Sequence, residues 1–242
     1  MATLARVVRV HPSGRFDPQS LIQPLFQRPH PIGDPVKLIG MLDSPYVRRV
    51  AISLQLLGLK FEHQSLSVFR TFDEFRKINP VVKAPTLVCD DGQTLMDSTL
   101  ILAYAEALAA PRTLMPKPVQ DLQQDLHLIG LALAATEKSV QAVYEHQVRP
   151  AEKLHTPWLE RVTQQKLTAY DELERALAHR ALPLDSASMS QAGVTVAVAW
   201  HFTQQTVPVL AERYPRLAAY SQAVEALPEF QAAPYGDSTY QG

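Results

Sequence analysis

Cysteine is almost missing from this sequence of 242 residues: Cys89 stands alone, which excludes an internal disulfide and any cluster of thiolate metal ligands and suits a reducing compartment. No apolar run approaches the roughly 18 residues that a membrane-spanning helix requires. An excess of one charge is missing too. With 23 Lys and Arg against 24 Asp and Glu, and no basic stretch interleaved with aromatics, the electrostatic footprint of a nucleic-acid binder is absent. His146, His155 and His201 show no metal-ligand spacing with one another. These absences predict a soluble, cytoplasmic protein with no metal, no membrane and no nucleic acid among its partners.

What is present is apolar residues, 46% of the chain, enough for a core that needs no staples. The first 36 residues stand apart. Pro12, Pro18, Pro24, Pro29, Pro31 and Pro35 interrupt them every few positions, which neither a helix nor a central strand tolerates. Arg6, Arg9 and Arg15 precede or flank the first acid, Asp17, as they would in an organellar presequence, but the amphipathic pattern is weak. Residues 1–36 are therefore expected to be a disordered, proline-rich extension.

Beyond it the pattern becomes regular. Val36 to Gly40 is a short apolar run. Ser44-Pro45 then sets a favoured N-cap directly before a proline at the first helical position. Val47, Val50, Ala51, Leu54 and Leu57 form one apolar stripe at helical spacing, and Gly58 sits where a left-handed stop belongs. Residues 36–66 thus read as strand, helix, strand. Thr71-Phe72-Asp73-Glu74 has the spacing of a capping box and opens a short helix that Asn79-Pro80 ends. Pro85 to Cys89 and Thr94 to Met96 read as two strands joined by Asp90-Asp91-Gly92-Gln93. Asp97-Ser98 starts another helix through Leu108. Pro111, Pro116 and Pro118 mark a linker, after which helical periodicity dominates. Helices are expected near Asp121 to Gln147, Pro157 to Ala178, Gln191 to Gln205 and Pro215 to Leu227.

Ser44 closes a strand and opens a helix, where free backbone N–H groups and the helix dipole favour an anion such as a thiolate. An ordinary cap would look the same. Asp97-Ser98 is a second helix start, suited to hold a carboxylate on the serine and an ammonium on the aspartate. Its plain alternative is again a cap. A cis Pro85 would aim the Ala84 backbone at a ligand, whereas a trans proline at a strand start is the commoner case. Cys89 reads as core filler, Trp200 as packed in the bundle, and Tyr46 and Tyr144 as either core or the wall of a pocket.

Taken together, Ser44-Pro45-Tyr46-Val47-Arg48-Arg49-Val50, Asn79-Pro80, Lys83-Ala84-Pro85-Thr86-Leu87 and Asp97-Ser98 resemble the glutathione transferases, in the serine-type arrangement. The likeness continues through Gln191-Ala192-Gly193-Val194-Thr195-Val196-Ala197 and from Tyr214-Pro215-Arg216-Leu217 to Pro228-Glu229-Phe230. The resemblance implies a thioredoxin-like α/β domain at 37–115 that binds glutathione and an all-helical domain at 119–235. It implies that Ser44 is catalytic and hydrogen-bonds the glutathione sulfur. Lys83 would meet the glycyl end, the Ala84 backbone the cysteinyl portion behind a cis Pro85, and Asp97 with Ser98 the γ-glutamyl group.

Glutathione would be the co-substrate, a small hydrophobic electrophile the second substrate, detoxification the role and a homodimer the assembly. A non-catalytic interaction protein of the same fold, or a glutathione-dependent isomerase, dehalogenase or peroxidase, is the alternative. Cysteine-dependent chemistry is disfavoured because Ser44 stands where those classes carry cysteine. Two departures stand out. Val82 precedes Lys83 where the family often has glycine, and Gly193 follows Ser190 where an aspartate would complete a capping box, so that Gly193→Asp is expected to stabilise.

Overall fold

The computed structural model describes residues 36–240, and the proline-rich extension expected at 1–36 lies outside the described residues but for Val36. A four-stranded mixed sheet with helices comes first, followed by a mostly helical region. The strands are β1 (Val36–Ile39), β2 (Phe61–Gln64), β3 (Thr86–Val88) and β4 (Thr94–Met96). They lie in the order β2-β1-β3-β4, with β1 parallel to β2 and antiparallel to β3, and β3 antiparallel to β4. Helix α1 (Pro45–Leu56) makes the crossover from β1 to β2, since parallel neighbours cannot be joined by a hairpin. The register places Leu38 opposite Leu87 and Lys37 opposite Val88.

Side chains alternate across a strand, and the sheet uses both faces. Leu38 and Leu87 join a core with α1 and with α3 (Ser98–Ala109). Ile39 turns the other way, onto Leu66 and onto Phe75 of α2 (Phe72–Ile78). Gly40 ends β1 at a φ of +137°, and a Cβ there would stand 2.6 Å from Val47 Cγ2. Only glycine lets the chain turn so tightly under the start of α1.

The helical region is built from α4 (Val119–Val143), α5 (Thr156–His179), α6 (Gln191–Thr206), α7 (Pro215–Val224) and α8 (Pro228–Ala232). Helix α6 is buried along most of its length, as an all-round apolar helix must be. Tyr170 of α5 meets it there, its hydroxyl 2.7 Å from Thr203 Oγ1 and donating to Ala199 O at 3.0 Å. Trp200 stands edge-on to Tyr170 with ring centres 5.3 Å apart, inside the bundle.

The structure departs from the sequence reading in four places. Thr71 makes no capping bond to its helix; its hydroxyl accepts from Ser67 N at 2.8 Å instead and tightens the turn before α2. Helix α4 stops at Val143 and continues as a π-helical turn, Tyr144–Val148. The last expected helix, Pro215 to Leu227, ends at Val224, and Pro228 starts a further helix, α8, beyond the expected range. The fourth is Gly193. Ser190 does cap α6, accepting from Gly193 N at 3.3 Å. Yet a Cβ at 193 would lie 2.5 Å from the Tyr220 hydroxyl and 2.8 Å from Met189 Sδ. The position is small because α7 passes close by, so the expectation that aspartate would stabilise it is overturned.

Helix α1 is tied to the far end of the chain. Arg48, 2% exposed, forms a two-pronged ion pair with Glu225 at 2.6 and 2.7 Å, and its Nε donates to Ala233 O at 2.8 Å. A planar guanidinium matches a carboxylate in this way.

Candidate functional site

Between the sheet and α4 runs a cleft made of two adjoining cavities. The smaller, about 480 Å³, is walled by Lys83, Ala84, Pro85, Asp97, Ser98 and Thr99, with Gly130, Leu133, Ala134 and Glu137 of α4 opposite. The larger, about 940 Å³, is walled by Asp43, Ser44, the segment Leu66–Arg70 and Phe202, with Val140, Val143, Tyr144, Gln147 and Val148 opposite. Tyr46, Lys83 and Ala84 line both and form the shared wall. The six residues singled out in the sequence therefore surround one cleft. Ser44 faces the larger part, Pro85, Asp97 and Ser98 the smaller, and Lys83 with Ala84 lie between them.

Ser44 is held by the start of α1. Its backbone is extended, at φ −73° and ψ 121°, while Pro45 occupies the first helical turn. Its Oγ accepts from Val47 N at 3.5 Å, a length at which a hydrogen bond is weak. The helix N-terminus behind it offers positive potential to the cleft.

The Lys83-Ala84-Pro85 turn is set by Asn79, which is buried. Asn79 Nδ2 donates to Thr86 Oγ1 at 2.8 Å, its Oδ1 accepts from Val81 N at 3.0 Å, and Thr86 Oγ1 donates to Lys83 O at 2.7 Å. These bonds explain why an Asn-Pro pair stands just ahead of the turn. The Ala84–Pro85 peptide bond is cis, and Val82 has a φ of +53°. A β-branched residue seldom adopts that conformation, which gives a reason for glycine to be favoured there.

Asp97 also holds a positive φ, 68°, and caps α3 by accepting from Thr99 N at 2.9 Å. An unusual backbone held by its surroundings is a common mark of a ligand site. Ser98 follows at the first helical position and is buried.

Arg49, Asp43, Phe69 and Arg70, on or behind the cleft, were not read as site residues from the sequence, whereas Tyr46 and Tyr144 were read as either core or pocket wall. Arg49, 2% exposed, donates from Nη1 to Ser98 Oγ at 3.2 Å and to Thr99 Oγ1 at 3.3 Å. Burial, partly offset by Asp97 and Tyr46, lowers its pKa to about 10, which leaves it charged at neutral pH. Tyr46 is pushed up to about 12, first by burial and then by the negative charge of Glu137 and Asp97, so its phenol keeps its proton. Burial also raises Asp43 above the ordinary carboxylate value, against the backbone bond at Ser44 and the charge of Arg70.

Arg70 bridges to Asp237 at 3.0 Å at the rim of the larger cavity. Phe69 and Tyr144 meet edge to face across that cavity, 5.7 Å apart. A signal for Arg49 was available. Two arginines inside an otherwise apolar helix must find partners, and α1 has no acid within reach along its own turn.

The cleft joins an anion-binding helix start, a carboxylate beside a hydroxyl at a second helix start, and a largely apolar cavity next to the first. It suits a small, extended ligand with both acidic and basic ends, and an apolar second molecule beside it.

The family model described as the glutathione S-transferase N-terminal domain matches residues 38–113. Among curated proteins, the chain is 25% identical over 173 residues to the uncharacterized GST-like protein YibF of Escherichia coli K12, covering 72% of this chain and 85% of that protein. It is 26% identical over 200 residues to a glutathione S-transferase of Triticum aestivum, covering 81% of this chain and 91% of that one. Among solved structures, a glutathione transferase family member from Pseudomonas fluorescens Pf-5 with bound glutathione has a TM-score of 0.70 and 26% identity. That match covers 83% of this chain and 99% of the other.

Proposed function

Because the chain belongs to the glutathione S-transferase family, we propose that it binds glutathione, holds it as a thiolate beside Ser44, and adds it to a hydrophobic electrophile. The observation that carries this reading is the placement of Ser44, which lines the larger cavity together with Lys83 and Ala84. In this reading glutathione lies along the shared wall. Its γ-glutamyl end meets Asp97 and Ser98, its cysteine meets the Ala84 backbone, and its glycyl carboxylate meets Lys83. The division into a glutathione-binding domain at 37–115 and a helical domain at 119–235 belongs to the same proposal, as does a homodimer in the cytoplasm.

The chemistry asked of the protein is modest. A free thiol has a pKa of about 8.5, and lowering it by two units takes about 2.7 kcal/mol of selective thiolate stabilisation. A hydroxyl donor and the N-terminus of α1 can supply that between them, since the hydroxyl accepts from Val47 N and keeps its own proton to donate. The thiol proton passes to solvent and the thiolate forms the new C–S bond. Either a leaving group departs with the displaced electron pair, or an activated double bond takes up the electrons and a proton. Rate comes from thiolate population and proximity in a cavity lined by Leu66, Val140, Val143 and Phe202.

The test is retention on immobilised glutathione, followed by turnover of a panel of electrophiles and hydroperoxides. Retention together with a C–S conjugate supports the reading. Retention without turnover of any substrate would make the protein a glutathione-binding module, and absence of retention would remove glutathione altogether.

A further inference from the structure

A buried guanidinium behind the Asp97–Ser98 corner uses only part of its hydrogen-bonding capacity on the protein. Arg49 reaches from α1 to the first turn of α3 and forks one nitrogen onto the Ser98 and Thr99 hydroxyls, at 3.2 and 3.3 Å. Its Nε is buried and has no hydrogen-bond partner among the described residues. A guanidinium can only donate, so both hydroxyls must accept from it, and their own protons must point elsewhere.

A serine or threonine deeper in a helix would give that proton to the carbonyl one turn back, as Thr136 and Ser139 do in α4. Ser98 and Thr99 sit in the first turn of α3, where no helical carbonyl lies behind them. Among the described residues neither hydroxyl has an acceptor for its proton, and both residues line the smaller cavity.

We propose that Arg49 is a positioning residue: by occupying a lone pair of Ser98 Oγ, it turns that hydroxyl into a fixed donor into the cleft and makes this corner selective for a carboxylate. The inference rests on glutathione as the ligand, the carboxylate being the α-carboxylate of its γ-glutamyl group. The buried positive charge adds to the field of the α3 N-terminus from behind, without contact with the ligand. Asp97, whose Oδ1 is engaged by Thr99 N–H, supplies the matching site for the ammonium. The corner thereby reads both groups on the α-carbon of the γ-glutamyl residue.

The experiment compares glutathione with γ-aminobutyryl-cysteinyl-glycine, an analogue that lacks the α-carboxylate alone, and with butyryl-cysteinyl-glycine, which lacks both the α-carboxylate and the α-ammonium. Binding to wild type, Arg49→Met, Ser98→Ala and the double variant is measured by calorimetry. The expected result is that Arg49→Met cuts the preference for the α-carboxylate by about tenfold, the size of one charge-assisted hydrogen bond. Ser98→Ala should then cost little more in the Arg49→Met background. A merely structural arginine would weaken all three ligands alike.

Full preference in Arg49→Met, or additive losses in the double variant, overturns the role of Arg49 and leaves glutathione binding intact. If wild type binds none of the three, the glutathione reading falls and this inference with it. Should Arg49→Met fail to fold, Arg49→Gln replaces it, because it removes the charge and shortens the reach toward Ser98. Arg49→Gln is expected to lose most of the preference, and an unchanged preference there overturns the proposal equally.

Discussion

The Ser44 hydroxyl accepts from the amide of Val47 at 3.5 Å, so it is attached to its helix by a bond near the limit of what counts as one. Accepting leaves the hydroxyl's own proton uncommitted, and Ser44 lines the larger cavity at the N-terminus of α1.

Replacing Ser44 with alanine is expected to raise the pKa of the bound glutathione thiol and to lower turnover at neutral pH, with a much smaller change in affinity. Thiolate absorbance of the complex, followed against pH, measures it. Ser98→Ala should weaken binding first and rate second. Tyr46→Phe provides the contrast, because its phenol also lines the shared wall and stays protonated. If the titration moves in Tyr46→Phe and stands still in Ser44→Ala, the sulfur belongs to the tyrosine.

Gly193→Asp is expected to destabilise by about 2 kcal/mol or more, since the added atoms must displace the Tyr220 hydroxyl and Met189 Sδ in a packed interior. Gly193→Ala should show most of that loss, because the clash begins at Cβ. Urea midpoints of the two variants and wild type decide the matter. An aspartate variant that melts higher would mean that α7 can move aside.

Glu225→Ala is expected to cost about 3 kcal/mol, because it leaves the Arg48 guanidinium buried and without its carboxylate. Removing both partners in Arg48→Met with Glu225→Ala should recover part of that loss. A double-mutant cycle in urea reads the coupling, and two independent losses that simply add would show that the ion pair does not act as a unit.

His63 sits between the end of β1 and the C-terminal residues, with Nδ1 accepting from Tyr240 N at 2.6 Å and Nε2 2.6 Å from Gly40 O. Only the neutral ring with its proton on Nε2 satisfies both bonds. Burial lowers its folded-state pKa. The unfolded chain therefore takes up the proton first, near its ordinary pKa of about 6.5. Stability present above that pH is lost as pH falls toward the lowered folded value. His201, also lowered by burial, adds to the same trend. The expected outcome is a urea midpoint that declines below about pH 6.5 and faster amide exchange at Tyr240. His63→Gln should flatten part of the decline, and an unaltered profile would acquit the ring.

Much of this was legible in the sequence, wherever a local rule sets the structure. Ser44-Pro45 started α1 and Gly58 stopped it, at a φ of +73°. The succession of strands along the chain followed from short apolar runs parted by turn residues. The misses share one cause, which is a partner that the local pattern does not count. Thr71 was read from the spacing to Glu74, but its hydroxyl is engaged by Ser67 on the other side. Gly193 looked like a defect in a cap, and its size is dictated by Tyr220 and Met189. Arg48 and Arg49 were read only as part of a motif, yet one is paired with Glu225 and the other with Ser98 and Thr99. No count along the chain announces those contacts.

The hold of Arg48 on Glu225 and Ala233 also sets an order in time. Every wall residue of the two cavities lies between Met41 and Phe202, while the carboxylate that grips α1 is 177 positions beyond Arg48 in the chain. During synthesis, all the side chains of the cleft exist before the clamp on the helix that carries Ser44. A nascent chain that ends at Val224 holds the whole inventory of the site, with a charged guanidinium still seeking its partner in the interior. The hold on α1 is thus completed only by Glu225 and Ala233, beyond α7, residues that contribute no wall to either cavity.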